Sequence, residues 1–200
     1  MNETGKPRIF LILSVLLGLL AAACGQGAPA EEPPLKGAKV GGPFGLTDHN
    51  GRAVTDGSFA GKYRIVYFGF ASCPDICPTD LAQIGQALRR LEKSDPDLAA
   101  KVQPLFITTD PERDTPAVMK EYVDAFHPRI VGLTGSPQQV ADAAKAYAVY
   151  YAKEPAEGGG YTMNHSRIIF LMDPEGAPIA MLPHDKGVDA IVAELKRWVR

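Results

Sequence analysis

Apolar residues in this chain follow two rhythms. Unbroken runs, Arg64-Ile65-Val66-Tyr67-Phe68-Gly69-Phe70 and Val102 to Thr109 with Leu105, Phe106 and Ile107, have the length of strands buried on both faces. Elsewhere apolar positions recur every three or four residues: Leu81, Ile84, Leu88 and Leu91; Val118, Met119, Tyr122, Val123 and Phe126; Val140, Ala144 and Tyr147; Ile191, Val192 and Leu195. Each set lines one face of an amphipathic helix. Pro78, Pro116 and Pro137 fall where a first helical turn has no use for an N–H, and Thr115 or Asp114 is placed to cap the second of these helices. Arg129 to Thr134 reads as a short strand, and Arg167 to Met172 and Ala177 to Leu182 as a pair joined by the turn sequence Asp173-Pro174-Glu175-Gly176. Asn50-Gly51, just after Phe44-Gly45-Leu46-Thr47, signals a hairpin. Lys153 to Asn164, with Gly158-Gly159-Gly160, reads as a loop. The order is hairpin, β, α, β, α, β, α, β, β, α. It predicts an α/β fold: a mixed central sheet flanked by helices, with an extra N-terminal β-hairpin.

The first 42 residues do not belong to that pattern. Lys6 and Arg8 precede an apolar run from Ile9 that ends Ala21-Ala22-Ala23-Cys24, the order of a signal peptide over residues 1–23. Small residues followed directly by cysteine resemble a bacterial lipobox, which implies cleavage before Cys24 and lipidation on it. The other reading is an uncleaved anchor, although the run is short of the roughly 20 residues of a full span. Both readings put the rest of the chain outside the cytoplasm, on the periplasmic face, and tethered to a membrane. Residues 24–42, rich in Gly, Ala, Pro and Glu, read as a flexible tether, and residues 43–200 as one domain. A net charge of −2 gives no basic surface for nucleic acid.

The candidate chemistry lies in Cys73-Pro74-Asp75-Ile76-Cys77-Pro78, between a buried strand and a helix. Thiols at a helix start face unpaired N–H groups and the positive end of the helix dipole, which favours thiolate, the form that attacks disulfides and binds soft metals. A disulfide across so short a loop would add little stability, so redox exchange or metal capture explains the pair better than a structural bridge. Such a turn after an early buried strand makes the domain look like a thioredoxin fold. Of the four histidines, His49 lies in a hairpin turn, His127 ends a helix, and His184 follows a strand and is free to approach the site. His165 stands at the junction of the glycine-rich loop and a buried strand. A histidine so placed is usually a hydrogen-bonded structural residue; the loop beside it and the dithiol opposite give it a second reading, as a ligand that the glycines allow to swing away. Two sulfurs and an imidazole suit Cu(I), and with an added oxygen Cu(II), better than structural zinc, which takes four protein ligands. Asp75 reads as a turn former able to donate such an oxygen.

At these residues the chain resembles the SCO/SenC family of copper-binding, thioredoxin-like proteins. The resemblance rests on Gly69-Phe70 leading into Cys73-Pro74-Asp75-Ile76-Cys77-Pro78-Thr79, on Thr109 to Pro116, on Tyr161 through His165-Ser166, and on Asp173-Pro174-Glu175-Gly176, in the family's order. It implies assembly of the copper centre of cytochrome c oxidase, with Cys73, Cys77 and His165 as copper ligands. It also implies the copper-accepting oxidase subunit as partner, alongside other periplasmic copper chaperones or thiol reductases. One departure is visible: the family's usual Asp before the histidine is Asn164, which bears on the tuning of the site. Asp110 to Pro116 is expected to shape a loop and cap a helix. A copper chaperone with thiol redox activity is the leading reading. A thiol–disulfide oxidoreductase that reduces the acceptor cysteines without carrying copper, with Cys73 attacking and Cys77 resolving, is the alternative. A peroxidase is disfavoured by Phe70, where Thr is expected, and a sensor is not separable from a chaperone by sequence.

Overall fold

The computed structural model describes residues 31–156 and 158–200; the expected signal segment and Cys24 lie outside the described residues. The packed unit runs from Pro33 to Arg200. It starts ten residues before the expected boundary at Pro43, because the stretch read as tether supplies core contacts. The Leu35 N–H donates to Ile179 O at 2.9 Å, the Gly41 N–H donates to Ala146 O at 2.9 Å, and Leu35 and Val40 pack on buried side chains.

Strands β1 (Gly45–Asp48) and β2 (Ala53–Thr55) form the N-terminal hairpin, with Gly51 at positive φ in its turn. Strand β3 (Tyr63–Gly69) leads through the cysteine turn into helix α1 (Ile76–Ser94), followed by a short helix α2 (Pro96–Lys101) and strand β4 (Val102–Thr108). Helix α3 (Pro116–Asp124), strand β5 (Val131–Thr134) and helix α4 (Pro137–Ala146) come next; Thr115 and Ser136 cap the two helices through their hydroxyls. Strands β6 (Tyr151–Pro155) and β7 (Tyr161–His165) pair with each other alone, and β8 (Ile169–Met172), β9 (Pro178–Met181) and helix α5 (Gly187–Trp198) complete the chain.

Seven strands form one mixed sheet in the order β2-β1-β5-β4-β3-β8-β9. β3, β4 and β5 are parallel, β8 runs antiparallel beside β3, and β9 runs antiparallel beside β8. This is the expected thioredoxin-like α/β sheet. Alternation along the central strands divides the core into two layers, as a period of two requires. Ile65, Tyr67 and Phe106 face α1, α3 and α5, whereas Val66, Phe68, Leu105 and Ile107, joined by Leu46 of β1, face α4. The cysteine turn opens at the carboxyl end of β3, where ligands of open α/β sheets are held.

Two departures from the sequence reading matter. Where a loop was expected, Tyr151–Pro155 and Tyr161–His165 pair as a β-hairpin, and Gly158, Gly159 and Gly160 precede its second strand at positive φ. Their side of the hairpin is the far end of β7 from His165, so they give His165 no hinge. Helix α1 also begins two residues before Pro78, which still lies in the first turn, where its missing N–H has no partner to lose.

Candidate functional site

Cys73 and Cys77 are free thiols. Asp75, the residue before α1, makes no side-chain cap. The Cys73 sulfur takes part of that role instead, accepting the Cys77 N–H at 3.5 Å. Bonding from the Cys77 thiol and the N–H groups of Asp75, Cys77 and Ile76 lowers the Cys73 pKa to about 5, against the opposing effect of partial burial. Cys77 shifts the other way: its proton is held toward Cys73, and its sulfur is fully buried. The pair therefore carries its negative charge on Cys73, the half-exposed sulfur, and its proton on Cys77. Asp75 is exposed, its backbone carbonyl accepting from the Thr79 hydroxyl at 3.0 Å.

His165 ends β7, and its Nε2 lies 3.5 Å from the Cys77 sulfur. Its Nδ1 lies 3.1 Å from Ser166 O. A carbonyl only accepts, so Nδ1 carries the proton and Nε2 presents its lone pair to the sulfur. The ring meets Phe70 edge-on at 5.9 Å between centroids and Tyr67 at 6.4 Å. Aromatic edges thus fix the imidazole on two sides. Asn164, one residue earlier, is on the opposite face of the strand: exposed, with Nδ2 donating to Glu154 at 2.7 Å. The exchange of a carboxylate for an amide there leaves the site's own side chains untouched.

Gly69 is required by this packing. A Cβ there would stand 2.8 Å from the Cys77 sulfur and 2.7 Å from Phe106 Cε2. Beneath the thiols lies a network that sequence reading missed. The Tyr67 hydroxyl donates to Asp80 at 2.9 Å, and Arg167 clasps the same carboxylate with Nε at 2.8 Å and Nη2 at 2.6 Å. Asp80 is one helical turn after Cys77, Arg167 two residues after His165, so this buried ion pair staples the two arms of the site. The available signal was a lone acidic residue among the apolar positions of α1.

The remaining histidines are placed elsewhere. His49 is half-buried rather than solvated, its Nδ1 accepting the Gly132 N–H at 2.9 Å. His127 lies 3.3 Å from Glu92 and accepts the Arg129 N–H at 3.2 Å. His184 Nδ1 is buried without a hydrogen-bond partner. Among the described residues no three His, Cys, Asp or Glu side chains stand as a ready-made ion site. Cys77 and His165 meet directly, with Cys73 beside Cys77 at the helix start.

A mixed sheet bearing a helix-start dithiol and an imidazole on the buried sulfur defines a thioredoxin-like thiol protein whose donors are those of a soft-metal site. The SCO1/SenC family description matches residues 32–200, and the chain belongs to that family. It is 45% identical over 166 residues to the mitochondrial protein SCO1 of Saccharomyces cerevisiae, covering 80% of this chain and 55% of the yeast protein, so it spans about half the length of that relative. The copper-bound structure of Bradyrhizobium japonicum ScoI is 45% identical with a TM-score of 0.72, covering 80% of this chain and 99% of that one. The copper-bound structure of Arabidopsis thaliana ScoI is 39% identical with a TM-score of 0.73, covering 79% and 97%. Among the described residues no helix is long and apolar enough to cross a membrane.

Proposed function

We propose that this protein is an extracytoplasmic copper chaperone, held at a membrane by the segment ending at Cys24, that binds Cu(I) through Cys73, Cys77 and His165. It passes the metal to the copper-accepting subunit of cytochrome c oxidase. One observation carries the reading: an Nε2 lone pair set 3.5 Å from a buried thiol that shares its proton with a second sulfur. Copper displaces the Cys77 proton and joins the two thiolates and the imidazole, a soft three-donor set. With an added oxygen the same donors accommodate Cu(II). The relatives with copper in their structures support the choice of metal.

The thiol pair also supports redox work. Cys73, half-exposed with its pKa lowered to about 5, is poised to attack a disulfide, and Cys77 holds the proton and resolves the mixed disulfide. That observation favours reduction of the acceptor cysteines as a companion activity.

The test is titration of the reduced protein with Cu(I) against a competing chelator. His165→Ala is expected to lose at least about tenfold in affinity, or ~1.4 kcal/mol. Equal affinity in parent and variant removes His165 from the ligand set.

A further inference from the structure

The β6–β7 hairpin that carries His165 is not part of the main sheet, so something else must fix its angle. At its base the Ser166 N–H donates to Tyr150 O at 2.9 Å and the Tyr150 N–H to Ser166 Oγ at 3.1 Å. These two bonds hold one end of the arm, and packing of Met163 on the core seats its middle. The second hydrogen-bonded attachment is at Tyr161, the other end of β7. Tyr161, Met163 and His165 lie on one face of the strand, the face turned to the body of the protein.

Tyr161 is held by the turn that follows β4. Its hydroxyl donates to Asp110 Oδ1 at 2.9 Å, its carbonyl accepts from Arg113 Nη1 at 3.0 Å, and the Arg113 guanidinium lies 4.1 Å from its ring centroid. Lys153 lies 4.5 Å from the same ring while paired with Glu112 at 2.6 Å. Asp110 is buried, and its second oxygen is taken by Arg113. The same turn grips the cysteine side of the site. Asp114 Oδ2 accepts the Ala71 N–H at 3.0 Å and the Thr108 hydroxyl at 2.6 Å, and the Thr109 N–H donates to Gly69 O at 2.6 Å. One turn, Asp110 to Asp114, thus touches the chain two residues before Cys73 and the strand that ends in His165.

We propose that Asp110, Arg113 and Tyr161 are positioning residues: a latch that sets the separation of His165 from the dithiol and so the hold on copper. The proposal rests on the copper reading given above. The latch acts through His165, touching neither sulfur nor metal. Closed, it keeps Nε2 against Cys77; opened at Tyr161, it lets the arm pivot at its base and withdraw the imidazole. The release device is therefore the tyrosine clasp, not the glycine tip.

Two measurements on the full-length reduced protein test this. In the metal-free state, NOEs between the His165 and Phe70 rings are expected in the parent, weakened in Tyr161→Phe and lost in Tyr161→Ala, with amide shifts of the main sheet unchanged. For Cu(I)-loaded protein, Tyr161→Ala is expected to speed metal loss to a chelator about tenfold, the scale of an outer-shell ligand support. In a His165→Ala background the same change is expected to alter that rate by less than about twofold, because the two residues act in series. Retention of the ring NOEs in Tyr161→Ala, or equal acceleration in both backgrounds, overturns the latch. Loss of the NOEs with copper held equally well by His165→Ala keeps the latch as a positional device and sinks the copper-ligand reading instead.

Discussion

At the scale of single residues, Cys73 lies where N–H groups of the first helical turn converge, while Cys77 is sealed from water one turn along. The two thiols are chemically unequal for that reason. With the Cys73 pKa near 5, its thiolate predominates at pH 6, where an ordinary cysteine, with a pKa of about 8.5, is almost wholly protonated. Iodoacetamide at pH 6 is expected to label Cys73 of the metal-free reduced protein in a fast phase that Cys73→Ser removes, with Cys77 unlabelled; peptide mapping by mass spectrometry checks the site. Equal labelling of both, or none at pH 6, contradicts the assignment. The sequence pointed to Cys73 as the attacking sulfur, but a helix start favours thiolate at both positions, and the opposite shift of Cys77 comes from its burial and its bond to Cys73. The supports under them were not legible in the sequence. Tyr67, Asp80 and Arg167 are separated by up to 100 positions, and only folding reveals that the single acid on an apolar helix face meets an arginine from the other arm.

Among the elements, the hairpin β6–β7 is the part of the site that the sequence obscured. Lys153-Glu154-Pro155 is exposed and polar and the tip is glycine-rich, so the segment lacks the apolar run that marks the other strands. Its signal was the alternation Tyr161, Met163, His165, which places all three on one face. That alternation also settles what the Asn164 departure does: it turns the amide outward, onto Glu154. Asn164→Asp is therefore expected to leave Cu(I) affinity within about twofold, while setting two carboxylates across a strand pair and costing about 0.5–1 kcal/mol of stability. Chelator competition and thermal melts at pH 7 measure the two quantities. A copper effect of tenfold or more would place Asn164 in the metal's surroundings after all.

For the whole molecule, the order of the main-sheet strands and the longer helices followed from the sequence, and so did the end of β3 that holds the site. The hairpin β6–β7, the short helix α2 and the packing of residues 33–42 did not, and the last of these depends on contacts between distant segments. Stability is expected to depend on pH through His127. Burial, outweighing the attraction of Glu92, lowers its pKa, with Arg89 and Arg129 acting in the same direction as burial. The unfolded chain then binds the proton more readily than the folded one, so the contribution is full above about 6.5 and is lost as pH falls through the lower folded value. Denaturant melts of the metal-free protein should show a decline between pH 7 and 5 that His127→Gln reduces; an unchanged slope in that variant assigns the decline to other groups. The N-terminal segment adds tethering to this picture in our proposal.

The central claim is that two sulfurs from one helix start and an imidazole from a separate arm share one copper ion. X-ray absorption at the copper edge of the Cu(I)-loaded protein measures this directly. The account predicts a three-coordinate ion with two sulfur neighbours and one imidazole, whose outer-ring scattering disappears in His165→Ala. A two-coordinate ion bound by sulfur alone, identical in parent and variant, would contradict it.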